Sequence, residues 1–266
     1  MIPYWPPPSL SIFGIEVSAF GICLFSAVLL SYVAILIEGR RVLHIIGKVG
    51  AQSPFNHKFI ESLAHIALIA GIIGAHLGGI FIEKGRAAFL DSGVFLSTKQ
   101  TFSSTAGLIC SSAAVSIFIA TKRAPFWACG DVLAKAFWVG LIAARIGCAL
   151  AHDHLGKRSH SLLAVNFPAG PRFDCGLLEL IGSICLFALW MAIHKRRYAV
   201  GTFFVYTIVG YALLRFGIDF LRADDIFNAD PRYASLTFSQ WVGLVLIPVG
   251  IIAAVRRGRK AAPATI

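Results

Sequence analysis

The stretch from Leu141 to His160, LIAARIGCALAHDHLGKRSH, holds the densest set of side chains able to do chemistry. Arg145 sits within an apolar run that ends near Cys148; His152-Asp153-His154 follows, and Gly156, Lys157 and Arg158 come directly after. Ionisable groups where a hydrophobic segment meets polar sequence are costly near lipid. They persist where they pair with each other, with a ligand or with water in a cavity. His titrates near neutral pH and Asp can orient a neighbouring imidazole, so His152, Asp153 and His154 form a candidate acid/base unit. The plainer alternative is a polar loop starting at a membrane surface. As a metal site the trio is weak, because two His with one residue between them supply only part of a coordination shell. No completing cluster stands out along the chain, and neither a metal nor a cofactor is expected. Arg145 either snorkels to the interface or lines a cavity and binds an anion such as a lipid phosphate through its planar donor fork.

A second set lies in YALLRFGIDFLRADD: Tyr211, Arg215, Asp219 and Arg222, spaced four, four and three. That spacing puts them on one helical face, with Arg215 and Asp219 as an i,i+4 pair. The set is either a structural ion pair or a second inward cation converging with Arg145 on one anion. Glu179, in DCGLLELIG, would enter its span near the same mouth. His65 and His76 read as helix-packing residues, and Asp131 with Lys135 as a structural pair.

The elements that must position these groups are membrane helices. Of 266 residues, 57% are hydrophobic and 14% charged, which is not a soluble globular composition. Seven apolar spans are expected, at about 10–37, 59–81, 104–120, 126–150, 176–193, 200–221 and 238–255, each about the length that crosses a bilayer. The fold class is therefore all-α: one polytopic bundle spanning 1–266, with no repeat and no soluble domain. GIIGAHLGG in the second span would allow close helix contact. Pro168, Gly170 and Pro171 break any helix in the polar 151–175 loop. The net charge of +11 comes from short basic clusters such as TKRAP and HKRRY between spans. Their placement puts the N-terminus outside, the C-terminus in the cytoplasm and the 151–175 loop on the outer side. A nucleic-acid partner would need one large basic face and is not expected. The N-terminal MIPYWPPPSLSIF lacks the basic start of a secretory signal. The six cysteines read mostly as small core residues; Cys148 and Cys175, flanking the polar stretch, could be functional or could pair.

These residues resemble the prolipoprotein diacylglyceryl transferase family over nearly the whole chain. The family's Gly-Arg-Ile-Gly-Asn-Phe, followed by Asn-Gly-Glu and a Gly, is similar to ARIGCALAHDHLG, with Arg145, Gly147, Asp153 and Gly156 at the matching places. Its Leu-Tyr-Glu is similar to Leu177-Leu178-Glu179, its Tyr, Arg, Glu and Arg face to Tyr211, Arg215, Asp219 and Arg222, and its following Gln to Gln240. Cys148 and Ala151 stand where the family has Asn. Phe20 stands for the Tyr of a first-span motif, and Thr105-Ala106-Gly107-Leu108 replaces His-Gly-Gly-Leu, so the third-span His is missing.

The resemblance implies a multi-pass enzyme of the bacterial cytoplasmic membrane. Its donor would be phosphatidylglycerol and its acceptor the lipobox cysteine thiol of a prolipoprotein. On that basis Arg145 and Arg215 would hold the phosphate, and His152, Asp153 or His154 would replace the missing base. Glu179 and Asp219 would orient the arginines, while Tyr211, Arg222, Gly147 and Gly156 would complete the substrate site. A paralogue with another acceptor, or a non-catalytic lipid-binding or transport protein on the same bundle, are the alternatives.

Overall fold

A computed structural model describes residues 1–12, 15–48, 56–84, 103–193, 199–226 and 229–258. Most of the 82–102 loop, the HKRRY link and the end of the basic tail lie outside the described residues. Seven described helices are long and apolar enough to cross a membrane. They are α1 (Ala19–Lys48), α2 (His57–Lys84), α3 (Ser104–Thr121), α4 (Phe126–Ala151), α5 (Cys175–Ile193), α6 (Thr202–Asp219) and α7 (Phe238–Gly258). Eight short strands accompany them: β1 (Ile2–Pro3), β2 (Ser9–Ile12), β3 (Ile15–Ser18), β4 (Leu155–Arg158), β5 (Ala164–Phe167), β6 (Gly170–Asp174), β7 (Arg232–Tyr233) and β8 (Leu236–Thr237).

The first span starts later and runs further than its hydropathy suggests. Residues 9–12 and 15–18 each alternate polar and apolar, a period of two that suits a strand. They pair as the antiparallel ribbon β2–β3, Ser9 opposite Ser18. Ser18 then caps α1 by accepting from the Gly21 amide at 3.1 Å. At the other end α1 continues through Glu38-Gly39-Arg40-Arg41, where Arg41 pairs with Glu38 one turn back at 2.5 Å.

The chain groups into two compact units, Met1–Val33 with Leu133–Ile266, and Ala34–Val132. In the second unit α2 and α3 meet through small residues. A Cβ built on Gly74 would lie 2.3 Å from Cys110 Cβ, and one on Gly78 would lie 2.1 Å from Ala106 Cβ. Ser111 Oγ donates to the Ala67 carbonyl at 2.9 Å across the same seam. Such close backbone approach is how helices associate where apolar burial offers little between lipid and protein. Gly78→Leu should separate α2 from α3 and cost about 1–3 kcal/mol, read as a lower melting temperature in detergent. An unchanged melting curve would show that the seam yields without cost.

The first unit holds the candidate site. Its core packs Ala134, Trp138, Trp190 and Phe203, and the buried Trp138 indole donates to Thr207 Oγ1 at 2.8 Å. The 151–175 segment, legible in sequence only as a helix-free loop, folds as part of a four-stranded sheet ordered β1-β5-β6-β4. Phe167-Pro168-Ala169-Gly170 closes the β5–β6 hairpin, with Phe167 opposite Gly170. Proline at the second turn position and glycine at the fourth is a standard turn chemistry. β1 lies parallel to β5, Ile2 opposite Val165, so the N-terminus completes the sheet.

Candidate active site

Three helices and the turn beyond one of them bring the ionisable residues together. Arg145 lies one and a half turns before the end of α4, Glu179 in the second turn of α5, Tyr211, Arg215 and Asp219 on α6, and Arg222 just beyond α6. Glu179 is fully buried and is the hub. Its Oε1 takes Arg145 Nη2 at 2.9 Å and the Tyr211 hydroxyl at 2.8 Å, and its Oε2 takes Arg215 Nη1 at 2.5 Å. Asp219, also buried, is ion-paired through Oδ1 with Arg215 Nε at 3.4 Å and Arg222 Nε at 3.1 Å, without hydrogen-bond alignment. Arg222 reaches Asp230 as well.

Three guanidinium groups thus share two fully buried carboxylates, which makes this end of the first unit a cation-rich cradle. Arg145 has donors to spare. Its Nη1 reaches only the weakly accepting Cys148 sulfur at 3.4 Å, and its Nε is buried with no partner. Buried donors of this kind call for an acceptor.

Asp219 is held by a reciprocal cap that ties α7 to α6. Thr237 Oγ1 donates to Asp219 Oδ2 at 2.6 Å and accepts from the Gln240 amide at 3.2 Å. The Gln240 side chain accepts in return from the Thr237 amide at 3.0 Å and donates to the Phe216 carbonyl at 3.1 Å. Thr-x-x-Gln ahead of an apolar run is the capping-box signature, a signal carried by the sequence itself.

The three residues after α4 part company. His152 turns with φ 52°, the left-handed conformation that a helix end often needs and a side chain other than Gly or Asn seldom takes. Its Nδ1 meets Asp174 Oδ2 at 2.6 Å and its Nε2 meets the Trp5 carbonyl at 2.9 Å. Tyr4, Trp5 and Phe167 surround the ring. With both nitrogens engaged, His152 has no free lone pair or proton to offer a substrate. It is a clamp between the N-terminal strand, the end of α4 and the sheet. Asp174 completes the clamp and caps α5 by accepting from the Leu177 amide at 3.0 Å. His152→Ala should cost about 2–3 kcal/mol, because the fully buried Asp174 carboxylate loses a hydrogen-bond partner. Limited proteolysis would then cut within 155–174, whereas His154→Ala should leave that segment protected. Equal protection in both variants would reject the clamp.

Asp153 and His154 instead face Cys148. The Cys148 sulfur, an Asp153 carboxylate oxygen and a His154 ring nitrogen lie within 4.8 Å of one another, a grouping that could hold a metal ion. Asp153 Oδ1 and His154 Nδ1 stand 3.7 Å apart, adjacent without a hydrogen bond. Burial pushes the Asp153 carboxyl up from its ordinary value, with Arg145 opposing and Asp174 reinforcing the rise. Burial, followed by the Arg222, Arg145 and Arg215 cations, drives His154 down to about 3, so its imidazole is neutral across the physiological range.

Gly147 and Gly156 stand at close contacts. A Cβ on Gly147 would lie 2.8 Å from Cys23 Cβ and 3.3 Å from the Phe20 carbonyl oxygen, where α4 crosses α1. One on Gly156 would lie 2.6 Å from Phe173 Cβ and 2.8 Å from the Leu221 carbonyl oxygen. There β4 is held between β6 and the chain leaving α6, through Lys157 N to Leu221 O at 2.7 Å and Ala223 N to Leu155 O at 3.2 Å. Arg172 secures the same corner. It donates to the Gly156 carbonyl and, bidentately, to Asp225, whose carboxyl it holds below its usual range. All six cysteines are free, Cys148 and Cys175 included.

The family model described as prolipoprotein diacylglyceryl transferase matches residues 7–256. The chain belongs to that family. Curated relatives carry the name phosphatidylglycerol–prolipoprotein diacylglyceryl transferase. One from Polynucleobacter necessarius subsp. necessarius is 26% identical over 94% of each chain. One from Francisella tularensis subsp. holarctica is 27% identical over 95% of this chain and 92% of its own. One from Idiomarina loihiensis is 28% identical over 71% of this chain and 74% of its own. The match spans α1 to α7, so this member of the transferase family carries the cradle within the matched region.

Proposed function

We propose that this transferase moves the diacylglyceryl group of phosphatidylglycerol onto the cysteine thiol of a lipobox-containing prolipoprotein. The observation that carries the reading is the buried guanidinium cradle around Glu179, with Arg145 donors left over for an anion. Acceptor sulfur bonds to the terminal diacylglyceryl carbon while that carbon's bond to the phosphate oxygen breaks, and glycerol phosphate departs with the electron pair. Arg145 and Arg215 take up the phosphate charge, which is where fixed donors lower a barrier most. Tyr211 and Glu179 hold both guanidinium groups in register, while Asp219 positions Arg215 and Arg222. The acceptor thiol enters on the side of Asp153 and His154, and its proton is drawn off there. His152, Gly147 and Gly156 act on the site by fixing the elements around it.

The same reading places the protein in the bacterial cytoplasmic membrane, N-terminus outside and C-terminus inside, as the densely basic links favour. The sheet end then faces the side on which exported prolipoproteins emerge.

Purified protein in phosphatidylglycerol vesicles, given a lipobox peptide, should add one diacylglyceryl mass to the peptide. A Cys→Ser peptide should add none. Absence of the gain, with a second enzyme of the family active in the same vesicles, would reject this acceptor.

A further inference from the structure

We propose that Cys148, Asp153 and His154 form a binding site for a zinc-class divalent ion, whose open fourth position takes the acceptor thiol as a thiolate. The three donor atoms already lie within 4.8 Å of one another on one turn and the helix end preceding it. Tetrahedral zinc with bonds of 2.0–2.3 Å sets its ligand atoms roughly 3.5 Å apart. The trio therefore needs to contract by only about an ångström, and Asp153 and His154 sit in the short segment between α4 and β4. One sulfur, one nitrogen and one oxygen donor select zinc-like metals, since magnesium and calcium avoid thiolate.

Charge favours loading. A deprotonated Cys148 and the Asp153 carboxylate cancel the two charges of the ion, so the filled site adds no net charge beside three arginines. Arg145 Nη1 already donates to the Cys148 sulfur, the kind of outer hydrogen bond that orients a metal-bound ligand. Burial is graded suitably as well: Cys148 is enclosed, while Asp153 and His154 keep about a third of their side-chain surface open. Three protein ligands with one accessible position is the pattern of a catalytic zinc, as opposed to a closed structural one.

The thiol part rests on the transfer proposed above; the metal part does not. A thiol that coordinates such an ion loses its proton outright. The proton passes to solvent, and the sulfur keeps the electron pair that attacks the diacylglyceryl carbon. The chain thereby has a way to make the nucleophile at Cys148, Asp153 and His154 themselves.

The test uses the full chain, freed of any affinity tag and stripped with a chelator, in detergent. Reloaded with Co²⁺ alone, the wild type should bind one ion and show a thiolate-to-cobalt charge-transfer band. Cys148→Ser should lose that band, and His154→Ala should weaken binding at least about tenfold, whereas Cys175→Ser should change neither. Adding a lipobox peptide should shift the cobalt spectrum; the Cys→Ser peptide should not. A band that survives Cys148→Ser, or no band at all, overturns the metal site even if the stripped protein transfers lipid. A correct metal site with no spectral response to the thiol peptide overturns the fourth-position assignment. If thiol coordinates but no diacylglyceryl transfer follows in vesicles, the metal site stands and the transfer reading fails.

Discussion

Arg145→Lys is expected to lower diacylglyceryl transfer by about two to three orders of magnitude while leaving the melting temperature close to that of the wild type. Lysine keeps the positive charge and most of the stem, so Glu179 retains one cationic partner. It loses the planar fork, and with it the Nε and Nη1 donors that Glu179 leaves free for an anion. The loss should appear in turnover at saturating phosphatidylglycerol, because the phosphate carries its greatest charge on the leaving oxygen as the carbon–oxygen bond breaks. Initial rates in vesicles of rising phosphatidylglycerol content would separate this from weakened lipid binding. Turnover within a few-fold of wild type would remove Arg145 from the phosphate site.

Glu179→Ala should be the most destabilising single change in the first unit. Glu179 is fully buried and neutralises Arg145 and Arg215 while accepting from Tyr211. Its removal leaves two guanidinium groups facing each other with no shared anion, and breaking a buried pair in this way costs about 3–5 kcal/mol. For a chain of this length that corresponds to a drop of about 10 °C in melting temperature. Glu179→Gln keeps the shape and an acceptor but not the charge, and should fall between the two. An Ala variant that melts with the wild type would mean the arginines find other partners, and would empty the hub of its meaning.

The sequence alone was enough for the helices and the polar face of α6. Span length follows from bilayer thickness, and apolar runs of that length have few other outcomes. Tyr211, Arg215 and Asp219 lie four apart, and helical periodicity places such residues together before any tertiary contact forms, whereas Arg222 follows in the turn beyond α6. The close α2–α3 seam was likewise legible in GIIGAHLGG, because only small side chains permit that approach.

The assembly of the site was decided elsewhere. Glu179 comes from a different helix from either of its arginine partners, and no local period encodes which arginine a distant carboxylate meets. His152, Asp153 and His154 are consecutive and were indistinguishable in sequence. The left-handed turn at His152 sends that ring toward Asp174 and Trp5, and leaves its neighbours beside Cys148. Cys148, by composition a small apolar residue, becomes a candidate ligand only because the turn after α4 folds back over it. The β-sheet was hidden for a related reason: β1 and β5 lie more than 150 residues apart in the chain, and their pairing is won by contacts that only the folded first unit supplies.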